Sequence, residues 1–217
     1  SFRIASIEKK ETFRTPAAPF TTSALQQEAS RKLGFSVNQT MNVAQQLYEA
    51  GLITYMRTDS TNLSSLAINT AKDVITNTYG AEYSRPRNYQ TKVKGAQEAH
   101  EAIRPTSVFR TPEMMARFLK PEQLKIYSLI WKRYTASQMA DAVYDVVTVD
   151  VEAGGNLFQA SGTTMTFDGF TSLYSYAKDE ETETDEFDEE GKQKLPAIKQ
   201  GEKLELVATF PEQHYTA

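Results

Sequence analysis

The spacing of apolar positions along the chain begins with a period of two, passes to a helical period over the middle, and returns to two. Phe2-Arg3-Ile4-Ala5-Ser6-Ile7 alternates and predicts a strand, ended by a charged turn at Glu8-Lys9-Lys10-Glu11. Pro16 and Pro19 then break the pattern and mark a domain crossing. Ser23 with Gln26 reads as a capping box for a helix with Leu25, Ala29 and Leu33 on one face and Gly34 as its stop. Ser36 and Gln39 repeat the signal for a second helix, with Met41, Ala44, Leu47 and Tyr48 as a core stripe and Gly51 as the end. Ser64 opens a third, running through Ala71, Val74 and Ile75 to Tyr79-Gly80. Residues 81–95 show no period and read as a basic surface loop. Thr111-Pro112 starts a short helix, and Pro121 a longer one with a stripe at Leu124, Tyr127, Ile130, Trp131, Tyr134 and Gln138. From Val143 the period is two again, with a turn at Gly154-Gly155-Asn156, a partner strand from Leu157, and a last strand over Lys203-Leu204-Glu205-Leu206-Val207-Ala208.

This pattern predicts an α+β, multidomain chain. A helical domain over 15–140, whose first two helices have a helix-turn-helix-like layout, is inserted into a discontinuous all-β domain made of 1–14 and 141–217. Asp179 to Glu190 holds nine carboxylates in twelve residues and reads as a solvated acidic insertion.

Between the second and third helices lies Leu52-Ile53-Thr54-Tyr55-Met56-Arg57-Thr58-Asp59-Ser60. In an extended run, side chains two apart share a face, so Tyr55, Arg57 and Asp59 line one side and Met56 and Thr58 the other. A tyrosine can attack a phosphodiester and hold the phosphate as an ester, but a phenol that titrates near about 10 needs help to lose its proton. A guanidinium one pleat away favours the phenolate and offers forked donors to phosphate oxygens. On the triplet alone, a buried strand-end ring beside an arginine that caps carbonyls is the commoner arrangement.

Longer strings decide between the two. Gly51 to Ser64 resembles the active-site segment of type IA DNA topoisomerases, and Met56 between Tyr55 and Arg57 is typical of the bacterial topoisomerase I branch. Upstream, Ala18-Pro19-Phe20-Thr21-Thr22-Ser23-Ala24-Leu25-Gln26-Gln27-Glu28-Ala29-Ser30 is similar to the start of the same domain. Downstream, Glu98-Ala99-His100-Glu101-Ala102-Ile103-Arg104-Pro105-Thr106 is similar to the family's histidine segment. The resemblance implies that Tyr55 is the nucleophile, that Arg57 stabilises phosphate charge, and that His100 supports that region, with Arg104 one helical turn on as a further DNA contact. Asp59 orients Arg57 or local backbone. His214 has no matching motif.

The implied activity is relaxation of negatively supercoiled DNA. One strand is cut through a 5′-phosphotyrosyl intermediate, another strand passes, and the ends are rejoined without ATP. Magnesium belongs to the family's toprim acids, which have no counterpart here, so this chain is expected to bind none and to be inactive alone. Its partners are then single-stranded DNA and the toprim and strand-gripping domains of the same protein, in a monomer.

The net charge of -4 hides a division. Residues 15–140 hold 15 Lys+Arg against 9 Asp+Glu, and residues 179–217 hold 4 against 12, so the part that carries Tyr55 is basic. The chain has no cysteine and no long apolar run, which fits a cytoplasmic, nucleoid-associated bacterial protein with no membrane partner. A non-enzymatic helix-turn-helix module is the rival reading, since Asn38, Gln39 and Asn42 sit where a recognition helix reads bases. A purely structural domain is a second rival, and a tyrosine recombinase a weaker one.

Overall fold

Hydroxyl side chains start four of the helices. Thr21, Ser36, Ser64 and Thr111 lie extended and accept from the amides of Ala24, Gln39, Ala67 and Met114, serving donors that a first turn leaves without partners. In the computed structural model, which describes residues 2–89, 101–174, 195 and 198–208, these caps open α1 (Thr22–Leu33), α2 (Val37–Glu49), α3 (Ser65–Thr78) and α4 (Pro112–Met115). The cap of α1 is Thr21 and not Ser23, because Ser23 already lies inside the first turn. Gly34 closes α1 with a left-handed backbone, φ 67°, and its amide donates back to Ser30 O. The fifth helix, α5 (Pro121–Ser137), begins on a proline whose missing N–H costs nothing there.

The chain divides into two compact units. The helical unit comprises residues 14–89, 101–142 and 168–174 among those described. Its core is built where α5 packs against α1 and α2, with Leu25, Ala29, Val43, Ala44, Leu47, Ile126 and Ile130 buried. The aromatic residues of α5 are buried with their polar tips spoken for. Trp131 Nε1 donates to Val108 O at 2.8 Å, Tyr127 Oη to Arg110 O at 2.6 Å and Tyr134 Oη to Ala67 O at 2.6 Å. Burial pushes the Tyr127 phenol up to about 12.

The expected basic loop after α3 is different in kind. Ser84 bridges to Met139, and Arg85 and Arg87 both pair with the buried carboxylate of Asp141, Arg87 Nη2 at 2.5 Å. Arg87 also donates to Met139 O, and Tyr89 Oη to Ser137 O at 2.9 Å. These cations neutralise an interior acid, so they are not a free track for DNA; residues 90–95 of that stretch lie outside the described residues. Residues 168–174, expected with the β part, pack in the helical unit. There Gly169, φ 48°, lies so close to Asp141 that an added Cβ would meet its carbonyl oxygen at 2.3 Å, which no side chain tolerates.

The second unit is a four-stranded sheet in the order β3-β2-β1-β4, with β1 (Phe2–Arg14), β2 (Ala142–Ala153), β3 (Asn156–Phe167) and β4 (Lys203–Leu204). β1 runs straight through Glu8-Lys9-Lys10-Glu11, where a turn was expected, since an edge of the pleat open to water accepts charge. β2 and β3 form an antiparallel hairpin from Val143↔Phe167 to Ala153↔Asn156. β4 is shorter than the alternation suggested. Its register carries Lys203 to Arg3 and Leu204 to Phe2, so later residues run past the described start of β1. The acidic run 179–190 and His214 lie outside the described residues.

Asp141→Ala leaves the partly buried Arg87 without its counter-charge, which costs up to about 3 kcal/mol. Urea unfolding of the variant beside wild type should show that loss, with unchanged helix content by circular dichroism before the transition.

Candidate active site

The stretch from Leu52 to Ser60 belongs to no regular element, so each of its backbone groups needs a partner found one by one. Leu52 N donates to Leu47 O at 2.9 Å, which extends the end of α2. A single antiparallel bridge then joins Ile53 to Pro105, with Thr54 N donating to Arg104 O at 2.9 Å and Thr106 N to Leu52 O at 3.0 Å. The next donors of a ladder are already engaged, Leu52 N on Leu47 O and Arg104 N on the Thr54 hydroxyl, which explains why the expected strand stops at one bridge. The 101–106 segment is likewise extended where a helical turn was expected. Ala102 N donates to Asn62 O and Ile103 N to Phe20 O, and both side chains are fully buried.

Although the strand is missing, the alternation survives. Met56 and Ser60 are each 1% exposed, Tyr55 is 43% exposed, and Arg57 and Asp59 are also exposed. Tyr55, Arg57 and Asp59 thus point outward while Met56 anchors the loop. Arg57, Thr58 and Asp59 line an open groove of roughly 590 Å³ with Thr21, Thr22, Ser23 and Gln26 from the start of α1. Among the described residues no carboxylate lies within ion-pair distance of Arg57, Asp59 included. Asp59 therefore does not orient Arg57 through an ion pair.

Tyr55 is ordered by a ring and not by its hydroxyl. Its ring meets Tyr48 at the end of α2 edge to face, centroids 5.2 Å apart and planes at 65°. Tyr48 is accordingly 40% exposed and not a core residue. Among the described residues the Tyr55 hydroxyl makes no hydrogen bond. His100 lies outside the described residues. Arg104 does not present a free charge. Its guanidinium donates to Glu101 Oε2 at 2.6 Å and to Pro105 O at 3.0 Å. Glu101 also accepts from Ser64 N at 2.9 Å. Burial works against ionising the Glu101 carboxyl, but Arg104 and the Ser64 hydrogen bond outweigh it and hold the group below its ordinary value of 4.5. Glu101 was visible in the sequence only as part of the histidine string, and Tyr48 only as a core position. Among the described residues no group of three or more His, Asp or Glu side chains is placed to hold a metal ion, and no helix is long and apolar enough to cross a membrane.

Among the described residues, then, an uncommitted tyrosine oxygen lies two residues along the chain from a cation without an ion pair. The DNA topoisomerase family model matches residues 1–217. DNA topoisomerase 1 of Xylella fastidiosa, strains Temecula1 and 9a5c, is 48% identical over 225 aligned residues, covering 98% of this chain and 27% of each relative. The solved full-length topoisomerase I of Thermotoga maritima matches at 37% identity with a TM-score of 0.72, over 93% of this chain and 32% of that one. The chain belongs to the type IA DNA topoisomerase family. It spans about a quarter of the length of the curated relatives it matches.

The depressed Glu101 value has a direct consequence for stability. A carboxyl whose folded value lies below its unfolded one contributes stability that is present above about 4.5 and is lost as pH falls through the folded value. Melting temperatures taken from pH 6 downward to about 3 should therefore fall less steeply for Glu101→Gln than for wild type. Parallel curves would refute the assignment.

Proposed function

We propose that this chain supplies the nucleophile of a type IA topoisomerase that relaxes negatively supercoiled DNA. The observation that carries this reading is the exposed Tyr55, its hydroxyl uncommitted, with Arg57 beside it and unneutralised among the described residues. Tyr55 Oη gives up its proton and attacks the phosphorus of a single-stranded segment. A bond from Oη to phosphorus forms, the bond from phosphorus to the 3′ oxygen breaks, and the leaving oxygen takes a proton to become a 3′-hydroxyl. The strand then bears a 5′-phosphotyrosine. After a second strand passes, the 3′-hydroxyl attacks the same phosphorus and Tyr55 leaves, so the phosphodiester is restored and no ATP is consumed.

Arg57 faces the negative charge that gathers on the phosphate oxygens, where a planar fork gives two aligned donors. His100 supports the phosphate region. Arg104 contributes to DNA binding by bracing the 101–106 segment against Glu101. Asp59 shapes the groove edge. The helical part, with its helix-turn-helix-like start, forms a domain inserted between strands of an all-β domain, now bounded near 14, 142 and 168–174. Magnesium is required by the full-length enzyme, but the described side chains here do not fit a metal site. Toprim and strand-gripping domains of the same protein complete the machinery, which acts as a cytoplasmic, nucleoid-associated monomer.

In the full-length enzyme, Tyr55→Phe should abolish covalent adducts on a single-stranded oligonucleotide while leaving thermal unfolding nearly unchanged. Adducts that persist would move the nucleophile elsewhere. Arg57→Lys keeps the charge and loses the fork, so DNA binding should hold while single-turnover cleavage falls by about 2.7–4 kcal/mol, roughly two to three decades in rate. The chain by itself should not relax plasmid in magnesium, and clean relaxation by it would overturn that expectation.

A further inference from the structure

We propose that Thr22 is a positioning residue for Arg57, an inference that rests on the reading of Arg57 as the phosphate clamp. Thr22 is the first residue of α1, far from Arg57 in sequence, yet it grips the peptide groups on both sides of it. Its hydroxyl donates to Met56 O at 2.8 Å, with Thr58 O close by at 3.0 Å, and accepts from Thr58 N at 2.8 Å. Its own amide donates to Thr58 O at 2.9 Å. Three backbone groups that flank residue 57 thus converge on one threonine.

The consequence for Arg57 follows from backbone geometry. With the carbonyl before it and the amide and carbonyl after it fixed, the Cα–Cβ direction of residue 57 is fixed too. The buried Met56 side chain holds the other face of the loop. Arg57 has no ion pair among the described residues to hold its guanidinium, so the aim of the side chain depends on the backbone it springs from. Thr22 also lines the same groove as Arg57. A corresponding arrangement holds the start of the loop, where Thr54 Oγ1 donates to Ala102 O at 2.7 Å and accepts from Arg104 N at 3.0 Å. Those bonds act before Tyr55, whereas the Thr22 bonds act around Arg57.

The test is single-turnover cleavage and religation of a single-stranded oligonucleotide by the full-length enzyme, with oligonucleotide affinity and thermal unfolding measured on the same samples. Thr22→Val keeps the shape and removes the hydroxyl; it should slow both chemical steps about tenfold to a hundredfold, as loss of alignment does, with affinity unchanged. Thr22→Ser, which restores the hydroxyl, should rescue the rate. In an Arg57→Lys background, where the fork is already gone, Thr22→Val should add little. Wild-type rates for Thr22→Val, equal slowing by Thr22→Ser, or a full multiplicative loss in the double variant would each overturn the proposal. If Thr22→Val does not fold, Thr22→Ala carries the same comparison. Tyr55→Phe run in parallel separates the two ideas: persistent adducts there sink the topoisomerase reading itself, whereas a dead Tyr55→Phe beside a wild-type Thr22→Val sinks only the role of Thr22.

Discussion

The site depends on backbone hydrogen bonding to a segment that has no secondary structure of its own. A helix or strand satisfies its amides and carbonyls by repetition, but residues 52–60 have no such partner and must borrow from three places. The end of α2 serves the amide of Leu52, the extended 101–106 segment serves the carbonyl of Leu52 and the amide of Thr54, and the first turn of α1 serves the peptides around Arg57. The 101–106 segment is itself stitched to Phe20, Asn62 and Leu52 with Ala102 and Ile103 fully buried. Segments distant in sequence therefore lock one another, and none of them is the scaffold alone.

Charge is distributed by the same logic. Arg85 and Arg87 neutralise Asp141, Arg104 neutralises Glu101, and Lys32 pairs with the buried Glu28 at 3.3 Å while lying over the Tyr174 ring. Several cations of the basic helical half are thus structural counter-ions. The excess read from composition overstates what is free to meet a phosphate backbone. Arg57 is different because among the described residues no carboxylate lies within ion-pair distance of it, so its charge stays open to an incoming anion.

How much of this was legible in the sequence depended on range. The caps at Ser36 and Ser64, the stop at Gly34, the hairpin at Gly154-Gly155 and the stripe on α5 are local signals, and each appears in the structure. The alternation of Tyr55, Arg57 and Asp59 was legible as well, although the strand invoked to explain it is absent. The outward pointing comes from Met56 and Ser60 being drawn into the core. What the sequence could not yield were partnerships across many residues: Arg87 with Asp141, Glu101 with Ser64, and Thr22 with the loop around Arg57. No periodicity encodes these, because each depends on where the packed helices bring separate loops.

For the attack proposed for Tyr55, its pairing with Tyr48 has a thermodynamic consequence. A tyrosine fixed through its hydroxyl would have to break that bond before its oxygen could become a nucleophile, and the cost would add to the barrier. Held instead by the flank of a neighbouring ring, Tyr55 is confined in orientation while its oxygen keeps every lone pair available among the described residues. Part of the side chain's orientational freedom is thereby given up during folding, through a contact that leaves the oxygen proposed to react untouched.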